Sequence, residues 1–242
     1  MDEALTRAVD DLYAVFARYP ARPTIAACPH CISPAAQAAL RAAPPRRLAA
    51  AALRPFTTKA LSTWGDADDF RHFLPRMLEL GALDDAWFRW DLAVATGKLR
   101  RARWHTWPAD EQRAVTAYCH ALWHHVLTVS PDERPAEELL RALHNLFDDV
   151  TPFLAAWRQD ASEPALRQLA AVIRSVARTP PAHLDGRILA WITHPRTRED
   201  VEAGFFRAGS PAVARELSDA HDDVVALCGA AGPAAPPRAP RD

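Results

Sequence analysis

Residues 107–129, WPADEQRAVTAYCHALWHHVLTV, decide the fold class of this chain. Val115, Tyr118, Leu122, Val126 and Val129 recur at three- and four-residue steps and share one face with Cys119, while His120 and His124 point nearly the opposite way with Arg113. That spacing gathers apolar side chains into one stripe only on a helix; a strand would need strict alternation. The run opens with Pro108, whose missing N–H costs nothing in a first turn, followed by Asp110 and Glu111 at the positive end of the helix dipole.

The same period continues upstream. Leu5, Val9, Leu12, Val15 and Phe16 predict a helix over residues 3–18, ending before Tyr19-Pro20. Ser33-Pro34 reads as an N-cap and first turn that open PAAQAALRA, which Pro44-Pro45 stops. Residues 46–65, RRLAAAALRPFTTKALSTWG, read as two short helical pieces broken near Pro55, with Gly65 as a C-terminal cap. Asp66 caps DADDFRHFLPRMLELG, in which Phe70, Phe73, Leu74, Met77, Leu78 and Leu80 form the stripe and Pro75 kinks or divides the helix.

Downstream of SPDERP, most helical segments begin at Ser, Asp or Thr with a nearby Pro, and no segment of the chain alternates with period two. The expected fold is therefore all-α, with about ten to twelve helices in a bundle or a short helical-hairpin array. No forty-residue repeat shares a motif. The natural seam is VSPDERPAE, residues 129–137. It separates residues 1–130, which hold six of the eight tryptophans and a Cys-x-x-Cys, from helical hairpins over 131–228, which are expected to pack with the first part as one unit. Residues 229–242 lack large apolar side chains and read as a disordered tail.

Composition narrows the function classes. At 49% hydrophobic and 24% charged residues the chain has the make-up of a folded protein, and a formal charge of −1 gives no field to gather nucleic acid or anionic lipid. The N-terminal segment is acidic where a secretory signal would be basic, and no apolar run approaches the ~18 residues of a membrane span. The expected compartment is the cytoplasm, where four cysteines read as thiols or ligands rather than disulfides. Basic residues are nearly all Arg, with only Lys59 and Lys98 as lysines, a usage that suggests a GC-rich bacterial genome.

Cys28-Pro29-His30-Cys31 carries the most specific chemistry. The tetrapeptide resembles the active site of the DsbA thiol oxidases, a branch of the thioredoxin superfamily. The likeness implies an exposed thiolate at a helix N-terminus, but also strands before the motif and a facing cis-proline strand end. The chain offers a helix before Cys28 and no strand after it, and Pro34 keeps Ser33 out of the helix, so the pair falls in a loop. A second reading makes Cys28, His30 and Cys31 part of a zinc site completed from among His72, His105, Cys119 and His194. A third leaves two reduced thiols packed in a turn.

The other clusters have plainer readings. His120 and His124 stand at zinc-binding spacing but lack the Glu of a metalloprotease helix, and read as an exposed pair. GKLRRARWHTW contains the cations and aromatics of a single-strand platform, yet the same residues suit a helix C-terminus with tryptophans anchoring a loop. Asp66, Asp68 and Asp69 lack the Gly and final Glu of a calcium loop. No phosphate-binding glycine loop or nucleophile elbow is present.

Cys28, Cys31, Thr63-Trp64-Gly65, Asp69-Phe70 and His72-Phe73-Leu74-Pro75-Arg76 together resemble a pattern of bacterial all-helical proteins, over roughly residues 10–80. The resemblance imports no activity; it implies that the cysteine turn, the Trp-Gly segment and the Leu-Pro-Arg segment form one structural unit. Arg76 is then placed to satisfy the carbonyl that Pro75 frees. The expected function is a non-enzymatic protein-interaction module, an accessory, scaffold or immunity-type protein without cofactor, whose partner is another protein rather than nucleic acid or membrane. Trp64, Arg76, Trp87, Trp90, Arg101, Trp104 and Trp107 form the expected contact surface, because Trp and Arg dominate binding hot spots. The alternative is a zinc-binding or thiol-dependent protein centred on Cys28, His30 and Cys31.

Overall fold

A computed structural model describes residues 1–178 and 186–230. The expected all-α class is what it contains: among the described residues there are twelve α-helices and no strand. The chain forms two compact units, residues 1–153 and 154–242. The first holds α1 (Glu3–Phe16), α2 (Pro34–Leu40), α3 (Ala50–Lys59), α4 (Ala67–Leu83), α5 (Leu92–Arg101), α6 (Ala109–Leu127), α7 (Ala136–Leu146) and the start of α8 (Thr151–Gln159). The second holds the rest of α8 with α9 (Glu163–Arg178), α10 (Gly186–Ile192), α11 (Pro195–Arg207) and α12 (Pro211–Ala230). The division falls at 153/154 rather than at the expected 130/131. The reason is that α7 packs along α5, so residues 131–153 belong to the first core. Gly229 and Ala230 continue α12 rather than starting a tail, and 231–242 lie outside the described residues. No described helix is long and apolar enough to cross a membrane.

In the first unit α1 packs on α6 and α4. Val115, Tyr118, Leu122 and Val126 bury the face that the sequence marks on α6. His120 is not on a free face: its ring stacks on Phe153 with centroids 4.5 Å apart and planes 18° from parallel. Burial, and then the charge of His124, pulls its pKa below the ordinary histidine value. On α1, Asp2 accepts the Leu5 N–H at 2.8 Å as N-cap, and Tyr13 donates to Glu79 at 2.7 Å, tying α1 to α4.

Neither internal proline breaks its helix. In α3, Pro55 is exposed, and so is Ala51, whose carbonyl loses its intrahelical donor to the proline ring. In α4 the helix runs through Pro75 because Phe70, Leu74, Met77 and Leu78 are all fully buried around it. Arg76 does not serve the freed carbonyl. Its Nε donates to Leu48 O at 2.9 Å and its Nη1 to Glu79 at 2.7 Å. Gly65 does not cap α3 either: Ala60 ends that helix, its N–H bonded to Phe56 O at 2.7 Å. Gly65 instead takes a φ of +69° in the turn into α4, where a Cβ would stand 3.0 Å from that of Asp69.

Candidate dithiol site

Between α1 and α2 the chain has no helix of its own, so its backbone groups must find partners elsewhere. Ile25 and Ile32 are buried and peg the two ends of the loop to the core. Between them, Cys28 N–H donates to Thr63 O at 2.9 Å and Gly65 N–H to Ala26 O at 2.7 Å, an antiparallel pairing centred on Ala27 and Trp64 and too short to be a strand. The chain then reverses over Pro29 and His30, with the N–H groups of Cys31 and Ile32 both 3.0 Å from Cys28 O. Ser33 is extended (ψ 153°) ahead of Pro34 and its hydroxyl accepts the Ala36 N–H at 3.1 Å, so α2 begins after the cysteine pair. Lys59, at the end of α3, closes the turn by donating Nζ to Cys31 O at 2.6 Å.

This geometry makes the two thiols unequal. Cys28 is half-buried, Cys31 is exposed, and neither is in a disulfide. The neighbouring Cys31 thiol, then the backbone N–H dipoles of His30 and Cys31 and the charge of Lys59, hold the Cys28 pKa below the ordinary thiol value. Cys31 is pushed the other way, first because its proton is held by Cys28 and then by the negative charge that Cys28 carries. An accessible thiol biased toward thiolate, with a second free thiol in the same turn, is the arrangement that thiol–disulfide exchange needs: a nucleophile and a resolving group.

The zinc reading does not gain its ligands. Among the described residues no group of three or more His, Cys, Asp or Glu is gathered to hold a metal ion, and His30 stands exposed in the turn. His72 Nδ1 is 2.7 Å from Tyr19 O, His194 Nδ1 accepts the Arg196 N–H as the cap of α11, and His105 is exposed. Cys119 is buried on α6, where desolvation drives its thiol pKa far up. Asp66 and Asp69 cap α4 reciprocally, and Arg22 pairs with Asp66 at 2.5 Å and Asp68 at 3.1 Å, so that acidic turn is internally balanced.

The tryptophan surface dissolves into core. Trp64, Trp87, Trp104 and Trp107 are all buried. Trp64 meets Phe56 edge-on at 5.4 Å, Trp87 lies under Arg54 at 5.8 Å, and the indole N–H groups of Trp104 and Trp107 donate to Leu146 O and Ala102 O. Arg76 is spent on Leu48 and Glu79. Only Trp90, 75% exposed on a π-helical turn at Trp87–Asp91, and Arg101 face solvent. Against known proteins, the chain matches no family model, no curated protein and no solved structure.

Proposed function

We propose that the protein is a thiol-dependent redox protein whose working centre is the Cys28–Cys31 pair. The observation that carries this reading is the placement of both thiols, free of any disulfide, in one turn that Lys59 closes, with Cys28 the one favoured as thiolate and Cys31 the one that keeps its proton. The reading replaces a contact surface four of whose five tryptophans are buried. In the reaction, the Cys28 thiolate attacks a disulfide RSSR, forming a Cys28–SR mixed disulfide and releasing RS⁻. Cys31 loses its proton and attacks the Cys28 sulfur, forming the Cys28–Cys31 disulfide and releasing the second RS⁻. Two electrons leave the protein and reduce RSSR to two thiols.

Mass spectrometry during titration with oxidised glutathione tests the reading. The wild type should lose two hydrogens with no adduct retained. Cys31→Ser should accumulate a glutathione adduct on Cys28, because nothing resolves it, and Cys28→Ser should react at least about tenfold more slowly. Equal reactivity of the two cysteines toward iodoacetamide at neutral pH, or a stable adduct on the wild type, would sink the proposal. Equilibration with zinc separates the alternative, which requires one retained ion per chain, lost on Cys28→Ser.

A further inference from the structure

The second unit contains a cavity of about 320 Å³ between α8, the start of α9, α10 and α11. Its apolar wall comprises Leu166, Leu169 and the indoles of Trp157 and Trp191, whose centroids lie 5.2 Å apart with planes 31° from parallel. Its polar wall centres on Arg158, whose guanidinium carbon sits 5.1 Å over the Trp191 ring.

Arg158 is poorly served. Its Nη2 makes only long bonds, 3.3 Å to Thr197 Oγ1 and 3.4 Å to Trp191 O. Its Nη1 is shielded from water and has no acceptor within reach, with Asp200 Oδ2 4.0 Å away. Asp200 is engaged by Arg196 at 2.9 Å, and Asp160 caps the Ser162 N–H at 3.0 Å. The indole N–H of Trp191 is likewise buried without a partner. Burial draws the Arg158 pKa down, the sign of a cation short of compensation. With Arg196 and Arg207 also lining the cavity against two aspartates, its charge is one positive unit in excess.

A cation held only by long bonds at a cavity wall gains from a better-placed acceptor, and a guanidinium is matched by two oxygens held in one plane. We propose that this cavity binds a small organic carboxylate, its carboxylate taken by the Arg158 guanidinium at its loosely held Nη2 and its hydrocarbon part against Leu166, Leu169 and the two indoles. The site belongs to the second unit and is independent of the dithiol proposal. A volume of this size admits a ring-sized body, and the apolar wall discriminates against a bare inorganic anion.

Calorimetric titration of the full chain with benzoate, benzamide and inorganic phosphate tests this. Benzoate should bind saturably and at least about tenfold more tightly than its uncharged amide, or ~1.4 kcal/mol. Phosphate should bind more weakly than benzoate. Arg158→Gln should lose benzoate by a similar factor while keeping helical circular dichroism, and Arg158→Lys, which keeps charge but not the fork, should fall between. Hydrogen exchange with benzoate should gain protection in α8, α10 and α11. Benzamide or phosphate binding as tightly as benzoate, no saturable benzoate binding, or protection confined to other helices would each overturn the proposal. The ligand comparison on the wild type decides the matter even if the Arg158 variants fail to fold.

Discussion

Lys59 is one of two lysines in the chain, and its ammonium is spent on the carbonyl of Cys31, 28 positions back in the sequence. The bond fixes the turn while leaving a positive charge beside Cys28, so one side chain both shapes the loop and favours the thiolate. Lys59→Met should move the pH midpoint of Cys28 alkylation upward, toward the ~8.5 of a free thiol, and slow the reaction at neutral pH by roughly two- to fivefold. Lys59→Arg, retaining the charge, should recover most of the rate. An unchanged pH–rate profile in Lys59→Met would mean that Cys31 and the backbone dipoles of the turn poise the sulfur without the lysine. Residue-scale reading was uneven for physical reasons. Ser33-Pro34 announced where α2 starts because proline constrains its predecessor locally, whereas the Lys59 contact depends on how α3 packs and leaves no local mark. Trp64, Trp87, Trp104 and Trp107 misled because residue type measures binding potential, not burial.

At the scale of the helix, spacing carried most of the information and proline carried less than its reputation. The apolar stripes of α1, α4 and α6 are the buried faces, since burial follows directly from a period of 3.6. Pro55 and Pro75 each remove one hydrogen bond, which tertiary packing outweighs. His120 shows the limit of a helical wheel: it lies off the main stripe but is covered by Phe153, the first-unit end of α8. Its folded-state pKa is depressed, so the unfolded chain binds the proton more readily. Nothing is lost above the unfolded value of ~6.5, and stability falls as pH drops below it, flattening once the folded pKa is passed. His120→Phe, which keeps the stack and cannot titrate, should show a shallower decline of the urea midpoint on acidification. A residual slope should remain, because His125 is shifted in the same direction, chiefly by burial. Identical slopes in the two proteins would place the acid sensitivity elsewhere.

For the whole molecule, the sequence located a seam by its Pro-rich composition at 129–137, but contacts rather than composition set the division. SPDERP is bridged within the first unit by Arg134, which donates to Gly81 O at 2.9 Å and to Asp85 at 2.9 Å, so α7 is anchored across it. The division by contacts runs through α8, a continuous helix in which Phe153 packs with His120 and Trp123 while Trp157 packs with Trp191. A helix that serves two cores gives no break in periodicity, and its boundary is therefore silent in sequence. Separate cores should still fail separately. Leu217 is 1% exposed on α12, in the layer that α12 forms with α9 and α11. Leu217→Ala should cost ~2–5 kcal/mol through lost transfer energy and the cavity left behind. If the two units hold their own cores, hydrogen exchange by mass spectrometry will show faster amide exchange through α9, α11 and α12, with α1, α4 and α6 keeping wild-type protection. The Cys28 alkylation rate should be unchanged in the same variant, since every bond that braces its turn lies within residues 26–65. A uniform loss of protection through α1, α4 and α6 as well would show that both units unfold as one cooperative body, and the division at 153/154 would then describe contact density alone.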